Sequence, residues 1–224
     1  MTQNVIRGAL FDLDNTLFDR DSACRQWART FIDEQFEDLD AEGRGRVLSV
    51  FMQIDRGGLT PKTDLFMSMR HLYPSISQDV PTLCERFYAE WLQYMELYED
   101  SVVLLDFLAK SAIPFGIITN GPQYQAWKIE KMRLRERTEC IFISELFGAH
   151  KPDPSIFLAG AEKLGLPPSE ILFVGDNVDA DIRGAQSVGM RTAWRRQGRI
   201  WDTRLAPPDF EIDTLTELLT VLKG

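Results

Sequence analysis

The 224-residue sequence predicts an α/β protein, a doubly wound parallel-sheet core with a helical domain inserted after its first strand. Three observations predict it. A branched and aromatic run, residues 5–11, reads as a short buried strand and ends in the polar stretch Asp12-Leu13-Asp14-Asn15-Thr16. Residues 19–99 then carry large apolar side chains at helical spacing and little strand signal. From Ser101 onward, strand-like and helix-like segments alternate, as parallel strands joined by helical crossovers do.

Inside the insert, Trp27, Phe31 and Ile32 mark a first helix, and Val47, Val50, Phe51 and Ile54 a second. Phe66 and Met69 mark a third; Leu83, Phe87, Trp91 and Tyr94 follow as a fourth. Gly57-Gly58 with Pro61, then Pro74 and Pro81, supply the breaks. The alternating part predicts helix 102–109, strand 114–118, helix 123–134, strand 140–143 and helix 155–164. Strand 171–174, helix 180–188, strands 191–194 and 210–212 and a terminal helix 215–222 complete it. The expected domains are therefore 1–18 with 100–224 for the core, and 19–99 for the insert.

With 44% hydrophobic and 26% charged residues the composition is that of an ordinary globular protein. A net charge of -9 argues against nucleic acid as a partner, and the basic cluster 191–199 reads as solvated surface. Cys24, Cys84 and Cys140 are odd in number and far apart, which suggests free thiols rather than a disulfide framework or metal knuckle. No basic-then-apolar leader and no bilayer-length apolar run is read, so the expectation is a cytoplasmic protein without a membrane partner.

In an open parallel sheet, ligands gather at the carboxyl ends of strands, near the point where strand order reverses. Three predicted strand ends carry polar residues: Asp12 and Asp14, then Thr119 and Asn120, then Asp176 with Asp179 and Asp181 beyond it. Lys151-Pro152-Asp153-Pro154 precedes a helix. Two carboxylates two residues apart at a strand end point the same way and repel, so they need a cation or a shared proton. Singly, each stretch has a plainer reading: Thr-Asn-Gly as a turn, Lys-Pro-Asp as a loop, and Asp179 as a helix N-cap.

Taken in order, Asp12-Leu13-Asp14-Asn15-Thr16, Thr119-Asn120-Gly121, Lys151-Pro152 and Gly175-Asp176 with Asp181 resemble the four motifs of the haloacid dehalogenase superfamily. The resemblance covers the chain from about Ala9 to Leu222 and implies a Rossmann-like core with a helical C1-type cap. It implies Asp12 as the nucleophile that forms an aspartyl-phosphate and Asp14 as general acid and base. Thr119 and Asn120 are implied at the phosphoryl group, with Lys151 neutralising charge there. The implied cofactor is Mg2+, held by Asp12, the Asp14 main-chain carbonyl and Asp176, with Asp181 behind them.

Asp14 and the acidic fourth motif favour a phosphatase of small-molecule phosphate esters over a 2-haloacid dehalogenase. A sugar phosphomutase would use the same residues, and a catalytically silent binding protein would be expected to have lost one of them. For the substrate, Asp14-Asn15-Thr16-Leu17-Phe18 is similar to nucleotide and sialic-acid phosphatases, and residues 201–205 are similar to flavin mononucleotide phosphatases. Phe18, Arg20, His71, Trp91 and Trp127 are conceivable substrate contacts, although aromatics at helical spacing read first as core. Monomer and homodimer are both open.

Overall fold

The computed structural model describes residues 5–223. Strand β1 (Gly8–Phe11) is buried at every position and pairs in parallel with β2 (Phe115–Thr119) on one edge and β4 (Ile171–Gly175) on the other. With β3 (Ile141–Ile143) outside β2, and β5 (Arg191–Arg195) then β6 (Phe210–Ile212) outside β4, the order is β3-β2-β1-β4-β5-β6, all parallel. The continuous burial of β1, β2 and β4 reflects cover on both faces. β1 is shorter than the apolar run 5–11 predicts: Val5 is exposed, and the Arg7 N–H instead bonds the Glu170 carbonyl at 2.7 Å. Strand order reverses between β1 and β4, because the chain first builds outward through β2 and β3 and then returns.

The chain divides into two compact units, 1–18 with 96–224 and 19–95. The second unit is helical: α1 (Arg20–Gln35), α2 (Ala41–Asp55), α3 (Lys62–Leu72) and α4 (Val80–Glu90), closed by a turn Trp91–Tyr94. Asp19, Asp40 and Asp79 cap the first turns of α1, α2 and α4 by accepting backbone N–H groups. The apolar stripes meet in an aromatic core, where Trp27 stacks on Phe31 at 5.2 Å and meets the edge of Phe87 at 4.8 Å, with Phe51 and Phe66 alongside. Val50, Ile54 and Tyr94 are only half-buried at its rim.

An ion cluster lies in this same unit. Asp55, fully buried, accepts from Arg20, from Lys62 and from the Gly58 N–H at 3.0 Å. Burial alone would raise the Asp55 carboxyl, but the two cations outweigh it and hold the group below its usual range. Arg20 thus serves as a structural ion partner, and Trp91 is buried against Phe87 at 4.8 Å; His71 is exposed.

In the sheet unit, α5 (Glu99–Lys110) and α6 (Gln125–Lys131) follow β1 and β2, and right-handed crossovers carry them to one face. A four-residue turn of helix, α7 (Ser144–Phe147), follows β3; it is too short to leave a periodic signature in the sequence. α8 (Pro154–Leu164) and α9 (Gly184–Ser187) return on the other face, packing Ile156, Phe157 and Ala185 against Leu10, Ile118 and Phe173. α10 (Leu218–Val221) ends the chain against α5. The single helix expected over 180–188 is instead a wide π-type turn, Val178–Arg183, leading into α9. Asn177 opens that turn by accepting from the N–H groups of Asp179 and Ala180. Among the described residues no helix is long and apolar enough to cross a membrane.

Candidate active site

The carboxyl ends of β1, β2 and β4 bring the candidate residues into one crevice of the sheet unit. The Asp12 N–H continues the pairing of β1 with β4 by bonding the Val174 carbonyl at 2.9 Å, which pins Asp12 at the edge of the regular sheet. Lys151 reaches in from the loop before α8 and donates to Asp12 Oδ1 and to Asp181 Oδ1, both at 2.7 Å. All three side chains are buried. Asp181 also accepts the Asn177 N–H on Oδ2 at 3.0 Å, so the wide turn exists partly to draw this carboxylate back toward the strand end. Gly175 leaves the room: a Cβ there would lie 2.4 Å from Asp181 Oδ2.

Asn120, at the end of β2, fixes the Lys151 backbone by accepting its N–H and donating to its carbonyl. Lys151-Pro152 is a cis peptide, and Asp153 beyond it caps α8 by accepting the Ser155 N–H. The bend after β2 is held from below by Ser144, whose Oγ accepts the Gly121 N–H at 3.0 Å and lies 2.7 Å from His150 Nδ1.

Asp14 has different partners from Asp12. Its Oδ1 accepts from Lys128 Nζ at 2.5 Å and its Oδ2 from Gln125 Nε2 at 2.6 Å, both on α6. The same Gln125 amide nitrogen lies 2.8 Å from Thr119 Oγ1 and 2.9 Å from the Asn120 carbonyl, tying the ends of β1 and β2 together. Sequence reading did not single out Gln125 or Lys128; the available signal was a Gln and a Lys at i and i+3 just after Thr119-Asn120-Gly121.

Asp176 is held from the other side. Arg199 donates to its carbonyl oxygen at 2.8 Å and to Oδ2 at 3.1 Å, and Trp194 Nε1 donates to the same carbonyl at 2.9 Å. Arg199 belongs to the basic cluster read as solvated surface and stays exposed while pairing with Asp176; Arg195 of the same cluster departs from that reading, being buried and bonded to the Thr16 carbonyl and Asp100. Asp179 is not the N-cap expected of it. Asn177 fills that place, because its side chain is first at the turn, and Asp179 is exposed in an ion pair with Arg183. Of the further substrate candidates, Phe18 is fully buried and Trp127 is exposed beside Tyr124.

Oxygen ligands of Asp12, Asp176 and Asp181 lie within 4.8 Å of one another. Burial drives the Asp12 carboxyl up to about 8; Lys151 opposes this, while Asp181, Asp176 and Asp14 add to it. Burial and then Asp181 push Asp176 up to about 7 against the pull of Arg199 and Lys151. Burial would lower Lys151, but Asp12 and Asp181 hold it above its ordinary value. One ammonium therefore does not balance the cluster. The donor set is all oxygen, in excess of the local positive charge, and suits a hard divalent cation such as magnesium. Asp181 engages both oxygens, with Lys151 and Asn177, whereas Asp12 engages Oδ1 with Lys151 and Asp176 engages Oδ2 with Arg199.

A family model of haloacid dehalogenase-like hydrolases matches residues 6–189. A glyceraldehyde 3-phosphate phosphatase of Methanopyrus kandleri is 31% identical, over 98% of each chain. An N-acylneuraminate-9-phosphatase of Mus musculus is 28% identical over 98% of this chain and 94% of that one. Among solved structures, a phosphatase of the same family from Thermococcus onnurineus superposes with a TM-score of 0.67 at 28% identity, covering 98% of this chain and 99% of that one. With the motif residues gathered at the strand ends of a six-stranded parallel sheet, the chain belongs to the haloacid dehalogenase-like hydrolases, as an enzyme of their phosphatase branch.

Proposed function

We propose that this enzyme is a magnesium-dependent phosphomonoester hydrolase that works through an aspartyl-phosphate on Asp12. The observation that carries the reading is that Asp12 and Asp14, two residues apart, are held by different partners. Asp12 shares the buried Lys151 with Asp181, whereas Asp14 is turned onto Lys128 and Gln125 of α6. Two carboxyl groups in unlike surroundings can take unlike roles, one as nucleophile and one in proton transfer.

In the first step an Asp12 oxygen bonds to phosphorus and the bond from phosphorus to the ester oxygen breaks; Asp14 supplies a proton to the departing alkoxide. In the second, water attacks the acyl-phosphate, Asp14 takes a proton from that water, and the bond from Asp12 to phosphorus breaks to release inorganic phosphate. Lys151 balances the charge shared by Asp12 and the phosphoryl oxygens. Thr119 Oγ1 accepts from Gln125, so its own hydrogen is available to a phosphoryl oxygen. Asp12, Asp176 and the Asp14 main-chain carbonyl would hold magnesium, which would offset the carboxylates and admit the phosphate dianion.

The substrate is a small metabolite with its phosphate on a primary carbon. Support comes from the two phosphatase relatives, whose named substrates, a glyceraldehyde 3-phosphate and an N-acylneuraminate 9-phosphate, share that feature. Such an alkoxide leaves poorly without a proton, which fits the care taken over Asp14.

The test is phosphate release from a panel of phosphomonoesters, with magnesium and with excess chelator, by wild type and Asp12→Asn. Chelator-sensitive release that is lost in the variant, with a phosphate adduct on the Asp12 peptide after acid quench, is the expected result. Release that persists in Asp12→Asn would defeat the reading.

A further inference from the structure

The helix after β2 carries two side chains that, in the mechanism above, make no contact of their own with phosphate or metal. Gln125 and Lys128 stand one turn apart on α6, are both nearly fully buried, and converge on a single group, Asp14. Each takes a different oxygen, at 2.6 and 2.5 Å, so the carboxyl plane as well as its position is fixed. Gln125 in turn is seated by its own surroundings. Its amide nitrogen bridges to Thr119 Oγ1 and the Asn120 carbonyl. Gly121, at φ +148°, gives it space, since a Cβ there would sit 2.8 Å from Gln125 Cγ. Lys128 is further confined by the ring of Phe18, whose centroid is 5.6 Å from Nζ.

We infer that Gln125 and Lys128 are positioning residues for proton transfer to the leaving group: they aim Asp14 and touch neither phosphate nor metal themselves. The inference rests on the proposed phosphatase chemistry and deepens it. Its physical basis is that proton transfer demands hydrogen-bond geometry, and a carboxyl held at one oxygen only would swing about its side-chain torsions. A single cation would suffice to balance charge; two donors on two oxygens are what orientation requires.

The consequence is selective. An aryl ester such as p-nitrophenyl phosphate expels an oxygen that needs no proton, whereas a primary alkyl phosphate does not. The ratio kcat/KM reports the steps up to transfer of the phosphoryl group to Asp12, so it isolates leaving-group protonation from the later water attack. The experiment measures kcat/KM for both esters, with magnesium, in wild type, Lys128→Met, Gln125→Ala, Asp14→Asn and the double variant Asp14→Asn/Lys128→Met.

We expect Lys128→Met to lose at least about tenfold on the alkyl ester and less than about threefold on the aryl ester; Gln125→Ala, which also releases Thr119, should lose on both but about tenfold more on the alkyl ester. The double variant should be no slower than Asp14→Asn alone, because Lys128 acts only through Asp14. Equal losses on both esters, or losses that multiply in the double variant, would overturn the inference while leaving the phosphatase reading intact. No turnover of either ester by wild type would overturn that reading and this inference with it. Gln125→Ala carries the test should Lys128→Met fail to fold.

Discussion

Asn120 and Lys151 are joined main chain to side chain in both directions: the Lys151 N–H donates to Asn120 Oδ1 at 2.8 Å, and Asn120 Nδ2 donates to the Lys151 carbonyl at 2.9 Å. The pair locks the loop before α8 to the end of β2 and thereby sets how far the Lys151 ammonium reaches. Asn120→Ala leaves one N–H and one carbonyl without partners and is expected to cost about 2 kcal/mol. Thermal unfolding should register that loss, and kcat should fall about tenfold as the ammonium drifts from Asp12.

Lys151 is the buried cation between Asp12 and Asp181. Replacing it with methionine keeps most of the length and removes the charge, leaving Asp12 and Asp181 without the cation they share. We expect a loss of about 3 to 5 kcal/mol in the absence of divalent cation, and at least a hundredfold or so in kcat. Added magnesium should raise the melting temperature of Lys151→Met more than that of wild type; an equal rise would contradict the charge balance described.

The folded-state carboxyls of Asp12 and Asp176 are raised from 3.8 to about 8 and about 7. An acid raised on folding is protonated in the native chain at a pH where the unfolded chain has already lost its proton. The native state then holds more protons, and these two groups withdraw stability as pH rises from about 4 toward 8. Magnesium needs the ionised carboxylates and opposes that withdrawal. The melting-temperature gain on adding magnesium should therefore be larger near pH 8 than near pH 6, and differential scanning fluorimetry at both values would show it.

In the helical unit, Asp55 is the shared anion of Arg20 and Lys62. Its carboxyl is lowered on folding, so its contribution is present above the ordinary value of 3.8 and is lost as pH falls through the lower folded value. Asp55→Ala removes the buried anion of Lys62 and leaves Arg20 its more exposed partner Asp21, and should destabilise this unit by about 3 kcal/mol near neutral pH. A variant that unfolds at the same urea concentration as wild type would refute the role given to this cluster.

The sequence by itself determined the parallel α/β core, the helical insert after the first strand and the polar residues at the strand ends. These are local signals: the buried runs at β1, β2 and β4 and the helical spacing of Trp27, Phe31, Phe66 and Phe87 follow from how short segments face a core. The helix expected at 180–188 is present, running over 178–187, but it opens as a π-type turn in which Asp181 reaches back to Lys151, a contact 30 residues away that propensity does not register.

Only the tertiary structure decided who partners whom. Gln125 and Lys128 meet Asp14 across 111 and 114 residues, and Arg195 leaves a run of surface charges to be buried against Asp100. The reason is geometric. A strand end fixes where a carboxylate stands, but the donor that orients it comes from whichever element the sheet order lays beside it, and strand order is a property of the folded chain.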